Sequence, residues 1–498
     1  MLINLFKQII LIIFMGICNF HKWLKINFEN CFDSIKKNNV YDNIYIDVNF
    51  LLHNSMYKAN NEQDFVSKLY GFLDLIFHNF IATRSIIFVI DGVAPYAKII
   101  LQRKRRIQMV KKINLESINS LHLTPGTELM MKLDFYLTNY INKIKKGLLF
   151  KDLNFIISPT TEHGEGEIKI VKNLIDINNK YPKCSHLLIG NDADIIVLTM
   201  SLQLINDIFV LIKMKNGFEL LSIDKIVNKF SQDFYKSSLD RNINNRKDFA
   251  VLSIFAGNDY LPKLSSVKLD LLFDVYKTTF KDKNEFLITN NNFNLEFLKK
   301  YLLNLIFAIP KQFRKIKLET FNEKKIFSYL QGVLWCLNMY SSGKCSKYDY
   351  YYGDKSPSIV DILFFLEINQ LNIDVPSSNT EPIPLYIYSI ILLPKQAKFL
   401  INKTFQNIID DAFKGVTDDT LCELCLKIQK NLSILHKQLR SLQKNSQNDL
   451  TIRQSISKYS IRLAKHKKKH KNIFSIKDIE KIIENVKNIS NIKNIYNV

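Results

Sequence analysis

Ser85-Ile86-Ile87-Phe88-Val89-Ile90-Asp91-Gly92 is an apolar run that stops at an acid and a glycine. Five consecutive apolar residues without alternation suit a strand buried on both faces, as in a parallel sheet. Asn43–Asp47 (NIYID) has the same form, and so has His186–Asp192 (HLLIGND). Phe155–Ser158 (FIIS) and Phe209–Met214 (FVLIKM) add two further runs. Between them, Phe65–Phe80, Glu128–Lys145 and Glu167–Ile177 carry apolar residues at helical spacing. Strands alternating with helices predict an α/β fold with an open, doubly wound, mostly parallel sheet. Ligands bind such sheets beyond the carboxyl ends of the strands, where Asp47, Asp91 and Asp192 fall.

Composition narrows the partners. The 498 residues hold 69 Lys+Arg against 47 Asp+Glu, a net charge of +22. That excess favours a polyanionic partner, although the abundance of Lys, Asn and Ile also reflects AT-rich coding. With 47% hydrophobic residues the chain can build a large core. Its seven cysteines are scattered. Cys422 and Cys425 form a lone CxxC without the further ligands a zinc site requires. The apolar run Ile9–Cys18 spans about ten residues, half the length that crosses a bilayer. No stable membrane association is expected.

Seven acids stand out: Asp47, Asp91, Glu165 and Glu167 in GEGE, Asp192 and Asp194 in GNDAD, and Asp259 in GNDYLP. Residues two apart in extended backbone point to one side, which is the expectation for Asp192 with Asp194. Such a set repels itself unless cations neutralise it. Hard divalent ions such as Mg²⁺ or Mn²⁺ prefer these oxygen donors. Two of them about 4 Å apart can activate water on a phosphodiester. A metal-dependent nuclease follows. After Asp91, Lys98, Gln102, Arg105 and Arg106 stand at i, i+4, i+7 and i+8, one face of a predicted helix. Arginine forks beside a metal site suit a terminal phosphate.

In order and local spacing these motifs resemble the XRN-type 5′→3′ exoribonucleases. The resemblance begins at MGICNFHKWL (15–24) and runs through YIDVN (45–49) with His53, then IDGVAP (90–95) and QRKRR (102–106). TPGTE (124–128), GEGE (164–167), GNDADII (190–196) and GNDYLP (257–262) complete it. It is strong over residues 15–275 and weaker over YLQGVLWCLNMY (329–340) and 343–362. It implies a short member with an apolar extension at 1–14 and a nuclease domain at 15–275. A helical second conserved region at 276–400 would roof the active site, ahead of a charged helical segment at 401–498.

The resemblance also implies roles. The seven acids become the catalytic ligands of two Mg²⁺ or Mn²⁺ ions. Lys98, Gln102, Arg105 and Arg106 become the pocket for a 5′-monophosphate, and His53 a base-stacking side chain. The implied partner is single-stranded RNA with a 5′-monophosphate, cut stepwise to nucleoside 5′-monophosphates during RNA decay. The cytoplasm is the expected location, with the nucleus as alternative. A flap-type or 5′→3′ DNA nuclease is the runner-up, and a non-catalytic RNA-binding protein the rival of another class. The chain departs from the family in two places. Cys18 replaces a proline, and the family's tryptophan-rich stretch reads SKYDYY (346–351). Tyr348, Tyr350 and Trp335 are the candidate replacements for the missing ring, Trp335 with the pattern of a core residue.

Overall fold

The computed structural model describes residues 17, 20–35, 38–110, 117–190, 193–202, 205–214, 217–232, 239–264, 267–283, 285–311, 321–369, 372–416, 427–428, 431–432, 434–436, 438–439, 447–469 and 474–489. The extension at 1–14, Cys18, Asp192 and the Cys422–Cys425 pair lie outside them, as do the side chains of a basic run, KHKKKHK, at 465–471. Two compact units form. One comprises Met1–Leu101 with Ser117–Leu385, the other Gln102–Glu116 with Tyr386–Val498.

The first unit is built on a seven-stranded sheet: β1 Phe32–Ser34, β2 Asn39–Asp47, β3 Phe80–Val89, β4 Asn154–Ser158, β5 His186–Ile189, β6 Ile208–Met214 and β7 Gly217–Ser222. The strand order is β1-β7-β6-β5-β2-β3-β4. The five apolar runs are β2 to β6, each parallel to its neighbours among them. β7 pairs antiparallel with β6, and β1 with β7. These two antiparallel strands have no counterpart in the sequence reading. β1 is only three residues long, and Glu219 interrupts β7, its carboxylate paired with Lys25 at 2.6 Å.

Alternate side chains of each central strand feed different cores. Tyr45, Ile87, Val89, Leu188 and Val210 pack on one face, and Ile44, Ile46, Ile86, Phe88, Leu187 and Leu211 on the other. Period-two alternation with both faces apolar is why these strands read as unbroken hydrophobic runs. The chain winds from β2 towards β4 on one side and from β5 towards β7 on the other. The winding direction therefore changes between β2 and β5, and a crevice opens at their carboxyl ends.

The helices that bear on the site are α1 Phe20–Asn27, α2 Val48–Met56, α3 Glu62–Asn79, α4 Tyr96–Val110, α5 Leu133–Ile144, α6 Gly166–Lys180, α7 Ala193–Ser201, α8 Leu239–Phe255 and α9 Glu323–Ser342. Asn61 caps α3 by accepting from Asp64 N, which fixes its start. The single helix expected over Glu128–Lys145 is two, Glu128–Met131 and α5. α9 buries Tyr329, Trp335 and Tyr340, and ends at Gly343 with φ +65°. No described helix is long and apolar enough to cross a membrane.

α8 also carries a buried acid. Asp248 is fully enclosed and accepts from Tyr276 Oη at 2.6 Å and from the amides of Leu287 and Ile288, both at 2.8 Å. Burial pushes its carboxyl up to about 7. Asp248→Ala would leave three buried donors unpaired. The expected cost is about 3 kcal/mol, read as a lower urea midpoint.

In the second unit the Arg103 guanidinium is buried. It donates to the carbonyls of Ile391 (2.5 Å) and Leu393 (3.5 Å) and lies 4.3 Å over the Phe474 ring. Helix Ile476–Lys487 starts with a capping box of Ser475 and Asp478, and Asn485 donates to the carbonyls of Ala412 and Lys414.

Candidate active site

Asp47 is the last residue of β2 and the N-cap of α2, accepting from Asn49 N at 3.0 Å. Asp91 follows β3, and its Oδ1 accepts from the amide of Gly166, the first residue of α6, at 2.6 Å. The positive end of a helix favours a carboxylate there. The two acids converge. A Cβ placed on Gly166 would stand 3.1 Å from Asp91 Oδ1 and 3.4 Å from Asp47 Oδ1. A Cβ on Gly190, just beyond β5, would stand 3.5 Å from Asp47 Cβ. The acids thus gather where the strand order reverses.

Glycine also joins the loops. Gly92 N donates to Gly164 O and Gly164 N to Val93 O, both at 2.9 Å, which ties the Asp91 loop to the GEGE loop. A side chain on Gly92 would collide with the carbonyl oxygen of Glu162. Close backbone approach explains that glycine.

Glu165 is the N-cap of α6, in extended backbone, and Glu167 lies in the first turn. Glu165 is buried, and its carboxylate accepts from the Lys98 ammonium and the Tyr260 hydroxyl. Lys98 also reaches Asp259 Oδ2 at 3.3 Å. Burial raises the Glu165 carboxyl, and Lys98 pulls it the other way. Burial alone would lower the Lys98 pKa, but Glu165, Asp259 and Glu167 hold it well above the ordinary lysine value. The ammonium stays charged. It balances the charge of these acids.

Asp194 lies in the first turn of α7, not in the extended backbone expected of GNDAD. Its charge, with those of Glu165 and Glu167, reaches Tyr340 of α9, whose hydroxyl burial already pushes well above 10. Asn258 donates to Tyr340 Oη at 3.0 Å, so α9 stands directly against the acidic centre. Asp192 lies outside the described residues. Tyr260 and Tyr340 are site residues that acid-centred reading misses. Adjacency of Tyr260 to Asp259 was the available signal.

Lys98, Gln102, Arg105 and Arg106 all lie in α4, the helix their spacing predicts. Gln102 Oε1 accepts from Tyr388 Oη at 2.7 Å, and Arg106 Nη1 donates to Gln102 O at 3.2 Å. Arg105 and Arg106 are half-buried. His53 is exposed in the last turn of α2. Trp335 is fully buried and stacks on Tyr350, centroids 4.8 Å apart at 28°. Tyr350 Oη is spent on Ser328 O at 2.8 Å. Neither ring offers an open face. Tyr348 is half-buried beside α4, its carbonyl accepting from Tyr96 N at 2.9 Å.

Among the described residues no three acidic, histidine or cysteine side chains stand close enough together to hold a metal ion. The donor chemistry nevertheless fits Mg²⁺ or Mn²⁺. Every candidate donor is a carboxylate, and Asp47 and Asp91 bring oxygens to the same point beside Gly166.

Residues 15–213 match the family model of the XRN 5′-3′ exonuclease N-terminus. The chain is 24% identical over 379 residues to 5′-3′ exoribonuclease 1 of Schizosaccharomyces pombe, covering 64% of this chain and 28% of that protein. It is 25% identical over 378 residues to 5′-3′ exoribonuclease 2 of Arabidopsis thaliana, with coverage of 57% and 37%. Against 5′-3′ exoribonuclease 1 of Homo sapiens the figures are 24% over 347 residues, 58% and 20%. The match thus spans well under half the length of these relatives. The solved catalytic core of Rad2 in complex with DNA substrate aligns with 74% of this chain and 98% of its own, at 12% identity and a TM-score of 0.34. That is a loose likeness, and the fold rests on the sheet itself. Over residues 15–213, then, the chain is similar to the N-terminal domain of the XRN-type 5′-3′ exonucleases.

Proposed function

We propose that the chain hydrolyses 5′-monophosphorylated single-stranded RNA from its 5′ end, releasing nucleoside 5′-monophosphates. The observation that carries this reading is the meeting of Asp47 and Asp91 at the amino end of α6, beside Glu165 and Asp259 on one buried lysine. Asp47, Asp91, Glu165, Glu167, Asp192, Asp194 and Asp259 would hold two Mg²⁺ or Mn²⁺ ions. When bound, such ions activate the attacking water and stabilise the leaving 3′ oxygen. Water adds to phosphorus, and the P–O3′ bond breaks with a proton going to the 3′ oxygen of the released nucleotide, while the shortened strand keeps the phosphate at its new 5′ end.

The protein's own groups do the rest. Lys98 sets a positive charge against Glu165 and Asp259 and fixes both carboxylates. Gln102, Arg105 and Arg106 supply an amide and two guanidinium forks for the terminal phosphate. His53, exposed next to the Asp47 helix, stacks on the 5′ base, and Tyr348 is the remaining candidate for a second ring. Stacking is sequence-tolerant, as stepwise digestion requires. His53→Ala is expected to raise KM about tenfold or more with little change in melting temperature, checked by steady-state kinetics.

A substrate panel tests the reading. With Mg²⁺, 5′-monophosphate RNA is degraded, while 5′-hydroxyl RNA and flapped DNA duplexes are spared. Preferential cutting of the flap would move the assignment to a DNA nuclease. No cutting of any substrate would overturn the enzyme reading.

A further inference from the structure

The acidic centre hangs on loops, and one buried side chain gathers them. Lys169 lies on α6, one turn beyond Glu165, and is 1% exposed. Its ammonium points into the end of the sheet. It donates to the carbonyl oxygens of Ile90 (2.7 Å) and Pro159 (2.6 Å), and lies near those of Glu162 (3.2 Å) and Ser158 (3.4 Å). Among the described residues it makes no ion pair with a carboxylate. Its partners are all neutral backbone oxygens.

Each carbonyl belongs to a segment that places an acid. Ile90 directly precedes Asp91. Ser158 ends β4. Pro159 and Glu162 lie in the loop that leads to Glu165. Lys169 therefore ties the Asp91 strand end and the Glu165 loop to the same helix. That helix already receives the Asp91 carboxylate at Gly166 N. The carboxylates of Glu162, Asp91 and Asp134 act on the ammonium without contacting it. Burying an ammonium without a contacting anion is costly, and an apolar residue of similar volume often serves stability as well. What a cage of oriented carbonyls adds is geometry, since moving any one of them lengthens a charge-assisted hydrogen bond.

We propose that Lys169 is a positioning residue of the acidic centre, holding Asp91 and the Glu165 loop at the spacing that divalent-ion binding needs. It touches neither ion nor substrate. The inference rests on the metal-dependent reading above. Groups that orient metal ligands at one remove commonly govern affinity by 10- to 100-fold.

The test reads Mn²⁺ binding to the full chain by electron paramagnetic resonance, apart from catalysis. Wild type comes first: if it binds no Mn²⁺, the metal reading itself fails. If it binds, K169M and K169A are expected to keep the wild-type circular dichroism spectrum and bind Mn²⁺ about tenfold or more weakly. Ethylammonium, which carries N–H donors, is expected to restore binding in K169A, whereas tetraethylammonium is not. Wild-type affinity in folded K169M overturns the proposal. So does weakened binding that both amines restore, or that neither restores, because the loss is then one of packing. Failure of both variants to fold also overturns it, since Lys169 would then hold the fold rather than the site.

Discussion

Asp91→Asn is expected to lower kcat on 5′-monophosphate RNA at least about a thousandfold, the effect of forfeiting about 4 kcal/mol of metal-borne transition-state stabilisation. The fold should survive. The amide oxygen of asparagine can still accept from Gly166 N, the bond that seats this side chain at 2.6 Å. Losing one charge from a crowded acidic set also relieves repulsion in metal-free protein. Melting temperature without divalent ions should therefore hold or rise. The further rise on adding Mg²⁺, which follows from preferential binding to the folded state, should shrink. A variant that keeps activity within tenfold would remove Asp91 from the reaction.

Lys98→Met is expected to be the most damaging single change for both stability and activity. It strips the cation from Glu165 and Asp259, and leaving buried charge uncompensated costs about 3 kcal/mol or more. The deficit has two signatures. Added Mg²⁺ should recover part of it, because other cations then neutralise the carboxylates. Acid should recover part as well. Burial already raises the folded-state pKa of Glu165, and removing Lys98 takes away the main opposing influence. A carboxyl whose folded pKa lies above its unfolded value binds its proton more tightly when folded. Stability then increases as pH falls through the folded value. The gap between Lys98→Met and wild type should narrow from neutral towards acid pH, measured as urea midpoints. A gap independent of pH and Mg²⁺ would mean that the lysine fills space only.

The central strands were legible because both of their faces are buried. No charged residue interrupts Ile44–Ile46 of β2, Ile86–Val89 of β3 or Leu187–Ile189 of β5 before the acid or glycine beyond. The edge was not legible. β1 has only three residues, and Glu219 of β7 takes Lys25 as its partner, so no unbroken apolar run marks either. Asp47 and Asp91 were legible from strand ends, because a strand that stops at an acid delivers it to the crevice. Asp194 was placed on extended backbone, but α7 begins at Ala193 and carries it on its first turn.

Helical periodicity predicted the shared face of Lys98, Gln102, Arg105 and Arg106, yet it names a face and not a partner. It could not show that Lys98 is consumed by Glu165 and Asp259. Arg103 shows the same limit within one basic run. Five residues from Lys98, it falls on another side of the helix and turns inward to carbonyls and a phenyl ring. Lys169 was invisible for a related reason, since its partners are backbone oxygens, which leave no mark in a sequence.

The most direct measurement follows the first product. RNA carrying a labelled 5′-monophosphate is mixed with excess enzyme and Mg²⁺ and sampled from the earliest times. Label is expected to appear first and only as nucleoside 5′-monophosphate, and chelation of the divalent ions to stop its release. Label appearing first in short oligonucleotides, or release that persists without divalent ions, would contradict this expectation.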